Sequence, residues 1–377
     1  MNILSGLVNN GGLLWYLMPF YKTPIIKNKI GLAFSLLTGK KNYKVKISDG
    51  FSINFPSSKF LRLIRMVGIL SYAYYYKITK DENIELSFDG TTSIIIPTRD
   101  FSYEDDNLLE LLFLGMKYGV DFIFDETSNE KIIRDKTIKV FSLNDRKVIE
   151  VFNGVRFYLD SIHPSVSIIE TYVRKIHMIN LDDDFTDKIV LDVGAECGDT
   201  ALYYASLNAK VYSFEPIKSN FDDMVENISL NSSLSDKIIP INAAIGEDKI
   251  LKFYQDPDSP NIGASFVYNA RGKNPIVTEV QGYSLETAIK KFDITHIDLL
   301  KTDCKNCEFF FNKESLKNVD MVKIEAALLL NPEKDMNDLV SLLTDVGYRC
   351  SMYKITPDDH TSTKVVVHIL GKKIGVR

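Results

Sequence analysis

Residues 188–205, KIVLDVGAECGDTALYYA, leave this chain few folds to choose from. An apolar run of Ile189, Val190 and Leu191 ends in Asp192. Glycines follow at Gly194 and Gly198, and an apolar helical pattern opens at Asp199. A strand, a glycine turn and a helix N-terminus in that order bring backbone N–H groups up against an anionic ligand group. The next apolar run, Lys210 to Phe214, ends in Glu215. An acid at the tip of the second strand of a βαβ unit is placed to bind two ribose hydroxyls. The turn reads G-x-x-x-G, which differs from the dinucleotide spacing G-x-G-x-x-G and argues against a nicotinamide dehydrogenase.

The rest of the second half alternates. Its patterns predict a helix over 219–230, a strand over 237–246 and a β-rich insertion over 250–282, followed by a helix over 285–291. A strand over 296–303, a helix over 308–316, a strand over 320–326 and a helix over 335–345 come next. Two last strands, beginning at Gly347 and covering 364–370, are joined by the polar loop 357–363 with no crossover helix, so they should pair antiparallel. Alternating strands and helices make a doubly wound α/β sheet.

The first part of the chain is different. Segments 44–56, 83–97 and 148–160 alternate apolar residues around Asp49-Gly50, Asp89-Gly90 and Asn153-Gly154, each a hairpin signal because both turn positions need φ > 0. Helical patterns over 59–77 and 165–176 follow the first and third, as a degenerate duplication would leave them, although two hairpins resemble each other by chance about as readily. Residues 107–120 read as a helix and 122–124 as the start of a strand, and the polar stretch 127–135 marks a boundary region. An α+β domain over 1–146 and a second domain over 147–377 are therefore expected. Tyr72, Tyr74, Tyr75 and Tyr76 beside Arg62, Arg65 and Lys77 suit core packing better than stacking on sugars or bases.

Charge is unevenly spread. Residues 1–80 carry twelve Lys and Arg against the single acid Asp49, whereas 81–145 hold six basic and fifteen acidic residues. A basic segment of this kind can face an anionic partner. The aromatic stretch Gly12 to Tyr21, with Lys22, Lys27 and Lys29 after it, suits a helix docked on its own domain, a contact with an anionic membrane surface, or an oligomer contact. The start lacks a basic signal-peptide region, and no apolar run reaches the length of a membrane span. The expectation is a cytoplasmic protein, at most peripheral to the membrane. Four cysteines, Cys197, Cys304, Cys307 and Cys350, are too few for a disulfide-built scaffold. Small apolar packing roles are expected for them ahead of a disulfide or a zinc site at Cys304-x-x-Cys307, and the five histidines show no metal-ligand spacing, so no metal is assigned.

Five parallel strands with one reversed near the edge, and an acid after strand two, describe a Rossmann-like class I methyltransferase sheet. The motifs sharpen this. LDVGAECGDT (191–200), VYSFEP (211–216), INAAIGED (241–248), PNIGASFV (260–267), VQGYSLETAI (280–289), IDLLKTDCKNCE (297–308) and VKIEAAL (322–328) together resemble the FkbM-type methyltransferase family. The resemblance covers about residues 145–372. Asp303 and Glu308 fit the family's D-V-E-G-A-E-like run, while Lys305 and Asn306 replace its Glu and Gly, and Glu196-Cys197 stands where Asn-Ile is frequent.

The resemblance implies S-adenosyl-L-methionine as cofactor and a hydroxyl of a sugar, glycolipid or secondary metabolite as methyl acceptor. Asp192, Gly194, Ala195, Glu196 and Gly198 would hold the methionyl end, Glu215 and Pro216 the ribose, and Asn242, Ala243 and Ala244 the adenine. Asp303 would border the sulfonium and is the first candidate for the base, with a purely cofactor-positioning role as its alternative; Glu325 is second, with the holding of a neighbouring loop as its own. His296 begins its strand and should lie at the wrong end of the sheet. The insertion, centred on Asn261 to Ala264, should roof the acceptor pocket. A nucleic-acid ribose methyltransferase using the basic segment, and a binding protein that has lost turnover, are the alternatives.

Overall fold

The computed structural model describes residues 26–37, 40–47, 52–56, 60–81, 83–88, 90, 93–98, 102–124, 136–162, 166–178, 181, 184–255, 276–304, 306–326, 336–355 and 366–375. The stretch 12–21, the boundary 127–135, the insertion centre 261–264, Lys305 and the loop 357–363 lie outside the described residues. The chain divides into two compact units, Met1–Gly154 with Pro357–Thr363, and Val155–Thr356 with Lys364–Arg377.

The first unit is α+β. Helix α1 (Lys29–Leu37) precedes the antiparallel pair β1 (Asn42–Lys46) and β2 (Ser52–Pro56). Helix α2 (Phe60–Leu70) leads to an antiparallel sheet of β3 (Tyr75–Ile78), β4 (Ile84–Ser87) and β5 (Ile94–Ile96). Helix α3 (Tyr103–Lys117) starts in a capping box, in which the Ser102 side chain accepts from the Asp105 N–H and Asp105 accepts from the Ser102 N–H. Strand β6 (Asp121–Phe124) then runs parallel to β7 (Thr137–Leu143), which turns back into β8 (Arg146–Val151). The turn is Asn144-Asp145, both at positive φ (51° and 64°), a hairpin absent from the sequence reading.

Two expectations fail here. The helix over 59–77 stops at Leu70, and Tyr75 and Tyr76 enter β3, as aromatic residues favour strands. The tyrosines are not core: Tyr72 is 52% and Tyr74 75% exposed.

In the second unit, β9 (Arg156–Tyr158) is followed by helical turns at Val166–Ile168, Ile169–Val173 and Ile176–Met178. Then come β10 (Ile189–Val193), α4 (Asp199–Ser206), β11 (Lys210–Phe214), α5 (Lys218–Leu230) and β12 (Ile238–Ile241). The predicted strand over 237–246 is split, because Ala244 and Ile245 form β13 in a separate small sheet with β14 (Ile250–Gln255) and β15 (Ile276–Tyr283). Helix α6 (Leu285–Lys291), β16 (Ile297–Thr302), β17 (Val319–Ala326), α7 (Met336–Val346), β18 (Tyr348–Ile355) and β19 (Val366–Lys373) complete the unit. The helix predicted over 308–316 is a single tight turn, Cys307–Phe310. The Asn312 side chain accepts from the N–H groups of Glu314 and Ser315, both at 2.9 Å, and this local cap competes with helix.

Among the described residues the main sheet has seven strands in the order β12-β11-β10-β16-β17-β19-β18. Strands β12, β11, β10, β16 and β17 pair parallel, and β19 runs antiparallel to both β17 and β18. This is the class I methyltransferase order, with the last pair antiparallel as expected. One face packs Leu191, Phe214, Leu300, Val322 and Ile324 against Ala288 of α6 and Leu339 and Leu343 of α7. Strand residues alternate faces, so Asp192, Ser213, Lys301 and Lys323 form a lateral row on the other face, each the register partner of a neighbour. A polar row across a buried parallel sheet needs a reason, because such strands are normally apolar on both sides.

Candidate functional site

The chain reverses direction between β10 and α4 through three residues at positive φ: Gly194 (79°), Glu196 (47°) and Gly198 (84°). Gly194 is required by space as well as by torsion. A Cβ there would stand 2.1 Å from the Asp303 carbonyl oxygen, so the turn and the end of β16 can touch only through a glycine. Asp303 in turn donates its N–H to the Val193 carbonyl at 2.9 Å. Asp303 therefore stands against the glycine turn.

Asp192 is tied to side chains of the neighbouring strand and of the helix after the turn. Its carboxylate is fully buried, 2.9 Å from the Lys301 ammonium, and accepts from the Thr200 hydroxyl at 2.7 Å. Lys301, 3% exposed, also donates to the Gly194 carbonyl at 3.1 Å. Burial alone would lower the Lys301 pKa, but Asp192, Asp303 and Asp199 hold it above the ordinary lysine range. The sequence reading missed Lys301. Its signal was a lysine inside an otherwise apolar strand, LLKT.

Glu215 lies past the tip of β11, 4% exposed. One oxygen accepts from the Glu196 N–H at 3.0 Å and the other from the Ile217 N–H at 2.8 Å. Burial pushes its pKa up to about 7 against those two N–H bonds. Burial, with Asp199, Glu215 and Asp303 nearby, likewise pushes the Glu196 carboxyl well up. Asp199 is raised to about 6, again chiefly by burial. Three acids around one turn are thus held toward protonation, and the buried Lys301 ammonium beside them is paired with Asp192. Such a donor set fits a ligand that brings positive charge and hydroxyl donors. S-adenosylmethionine, with a sulfonium, an ammonium and a ribose diol, is such a ligand.

The adenine candidates divide. Asn242 is exposed, and its amide donates to the carbonyls of Glu215 (2.9 Å) and Pro216 (3.1 Å), which fixes the chain after β11. Ala243 and Ala244 are buried in two different apolar clusters, leaving backbone rather than side chain to a ligand. Ala195 is fully buried. Glu325 lies near the end of β17 with its carboxylate 3.7 Å from Nε2 of His368. His296 sits at the opposite strand ends, bonded to Asp320 at 2.9 Å.

Cys304 and Cys307 are joined as a disulfide, against the expectation of packing roles, while Cys197 and Cys350 remain thiols. Two groups of described residues bring three possible metal-ligand atoms within 4.8 Å of one another: Cys304, Cys307 and Glu308, and His296, Asp298 and Asp320. In the first, the disulfide removes both thiolates. In the second, Asp298 already accepts from the Ile189 N–H at 2.7 Å.

Within the disulfide loop, Asn306 has φ 113°, a torsion that explains the glycine usual at this place in the resemblance. Its side chain is buried, and among the described residues neither amide atom has a hydrogen-bond partner. Asn306→Gly is therefore expected to stabilise the second unit by about 1 kcal/mol, relieving torsion and an unmet polar group. A melting point unchanged or lowered by calorimetry would refute this account.

Residues 192–350 match the family model described as Methyltransferase FkbM domain. No curated protein matches the chain in sequence. Among solved structures, TYW2 of M. jannaschii in complex with AdoMet shares 16% identity over 66% of this chain and 89% of its own, with a TM-score of 0.34. The precorrin-6y C5,15-methyltransferase of Geobacter metallireducens shares 12% over 54% and 88%, at 0.32. An rRNA methylase of Streptococcus thermophilus shares 13% over 53% and 93%, at 0.31. Likenesses this low bear on neither fold nor chemistry, which rest on the strand order and the family match. Residues 192–350 are thus a methyltransferase domain of the FkbM family, and its cofactor is S-adenosylmethionine.

Proposed function

We propose that this domain methylates a hydroxyl oxygen of a sugar, glycolipid or secondary metabolite. When bound, the cofactor supplies a methyl group on a sulfonium that is already a good leaving group. The protein's work is then alignment and removal of one proton. The observation that carries the reading is the meeting of Asp303 with the glycine turn, across a gap only Gly194 allows. It sets a carboxylate-bearing residue between the cofactor loop and the strand ends where an acceptor would stand. Gly194 to Gly198 hold the methionyl end, Glu215 and Pro216 the ribose side, and Asn242 to Ala244 the adenine side. Asp303 and Glu325 accept hydrogen bonds from hydroxyls of the acceptor beside the reacting one and orient it.

The test is transfer of labelled methyl from S-adenosylmethionine into extracted glycans and lipids, read as a mass gain of one methyl on oxygen. Asp303→Asn should keep cofactor affinity and lose roughly a hundredfold or more in turnover. Full activity in that variant removes Asp303 from the site. The basic charge of residues 1–80 supports docking of an anionic or lipid-linked acceptor by the N-terminal domain. Flotation with anionic liposomes should then be lost in raised salt, and failure to float in low salt removes the membrane reading. The same charge favours a second acceptor, a nucleic-acid ribose, whose mark would be RNA binding that falls steeply with salt. Among the described residues, no helix is long and apolar enough to cross a membrane.

A further inference from the structure

Lys323, on β17, is a buried cation. It is 1% exposed, and among the described residues its ammonium nitrogen has no hydrogen-bond partner. That nitrogen lies 4.2 Å from the centroid of the Tyr353 ring, and the Tyr353 hydroxyl is likewise buried without a hydrogen bond. An ammonium kept from water and from any hydrogen-bond acceptor is costly, and the usual escape is to give up the proton. Burial indeed lowers the Lys323 pKa to about 7, with Glu325 pulling the other way.

Its strand register relates it to the anchor of the glycine turn. Lys323 is the register partner of Lys301, which is the partner of Asp192, so all three lie in one lateral row on the face that carries the glycine turn's anchor. The groups around it come from every neighbouring element. Glu325 lies two residues on along β17, Lys301 is on β16 and Asp303 just past its end, His368 is on β19, Tyr353 is on β18 and His177 is in the turn Ile176–Met178. His177 links them: burial first, then the charges of Lys301, His368 and Lys323, outweigh Asp303 and push its pKa well down.

We infer that Lys323 is the group that takes the proton of the acceptor hydroxyl. This rests on the O-methyl reading proposed above. The acceptor oxygen forms a bond to the methyl carbon, the carbon–sulfur bond breaks with its electron pair left on sulfur, and the hydroxyl proton passes to the lone pair of Nζ. Lys323 ends the step as an ammonium beside Glu325 and returns its proton to solvent before the next turnover. Among the candidates it matches the task best. A base titrating near neutrality combines availability with driving force, whereas His177 is held too acidic to keep a proton at pH 7.

The test needs no acceptor. S-adenosylmethionine and S-adenosylhomocysteine differ by one methyl and one positive charge, so the ratio of their affinities reports the charge lining the sulfonium. Calorimetry of both ligands from pH 5.5 to 9, on the full chain and on Lys323→Met, cancels the titration of the ligands and of Glu196, Asp199 and Glu215. At pH 5.5 the variant should favour S-adenosylmethionine about fivefold more than the native chain does, because a protonated Lys323 repels the sulfonium. By pH 9 that difference should vanish, with a midpoint near 7. An offset equal at both ends makes Lys323 a fixed structural cation, and no offset at all places it away from the sulfonium; either overturns the proposal. Should Lys323→Met not fold, carbon-13 NMR of ε-labelled lysine in the native chain serves instead. One buried lysine should titrate near neutrality and shift lower with S-adenosylmethionine but not with S-adenosylhomocysteine, and its absence is equally fatal. A screen that yields no oxygen-methylated product removes the reaction without altering the ratio, whereas a flat ratio removes Lys323 even when the product is found.

Discussion

Lys301→Met is expected to destabilise the second unit by about 3–5 kcal/mol, the cost of leaving a buried carboxylate without its counter-charge. Asp192 is fully buried, and Lys301 is the cation within 2.9 Å of it. The Thr200 hydroxyl would remain as a neutral donor at 2.7 Å, which softens the loss without cancelling it. The substitution also frees the Gly194 carbonyl, now bonded to Lys301 at 3.1 Å, so the glycine turn should loosen and cofactor affinity fall with stability. Thermal unfolding should show a drop of roughly 10 °C in the transition of this unit. Adding Asp192→Asn to Lys301→Met should recover a large part of it, since the pair's worth lies mainly in not leaving one charge behind. A single variant within about 1 kcal/mol of the native chain, or a double variant worse than the single, would show that the two charges are not coupled as the geometry requires.

How much of this was legible beforehand depended on whether a residue's meaning is local. The glycine turn was readable because strand end, positive-φ glycines and helix start agree within residues 188–205. The antiparallel last pair followed from the lack of room for a crossover helix between β18 and β19. The lysines at 301 and 323 were not readable in this way. Each interrupts an apolar strand, and only the register that sets Asp192, Lys301 and Lys323 side by side shows one to be paired and the other not. The helix expected over 308–316 failed for a local reason that pattern counting overlooks, the Asn312 cap. The tyrosines after α2 escape the core because the helix ends at Leu70, which leaves Tyr72 and Tyr74 in the turn before β3. In the resemblance, Asn306 was readable as a departure, but only its φ of 113° says what the departure costs.

Glu215→Gln carries the second large effect, this time on binding. An ionised carboxylate is acceptor-only and suits two ribose hydroxyls, while an amide offers one acceptor and an unwanted pair of donors. Two charge-assisted hydrogen bonds at roughly 1.5–3 kcal/mol each set the scale, of which some is returned because the glutamine oxygen still accepts from one N–H. A loss of about a hundredfold in affinity for S-adenosylmethionine is expected, and the same loss for S-adenosylhomocysteine, since both carry the ribose. The pH dependence is a second signature. With Glu215 raised to about 7, the empty site holds a proton there below neutrality, and the ligand binds the ionised form. Affinity should therefore fall by up to tenfold per unit as pH drops below 7 and level off above it. In the folded protein alone the sign is opposite. From the ordinary 4.5 to about 7 the native state binds a proton that the unfolded chain has released, so this group's contribution to stability declines as pH rises through that window. Glu215→Gln should flatten both trends, and calorimetric titration at pH 6 and 8 reads the first of them directly. If the variant binds within threefold of the native chain, or keeps the full acid-side slope, the ribose is held elsewhere and the carboxylate only fastens the backbone of Glu196 and Ile217.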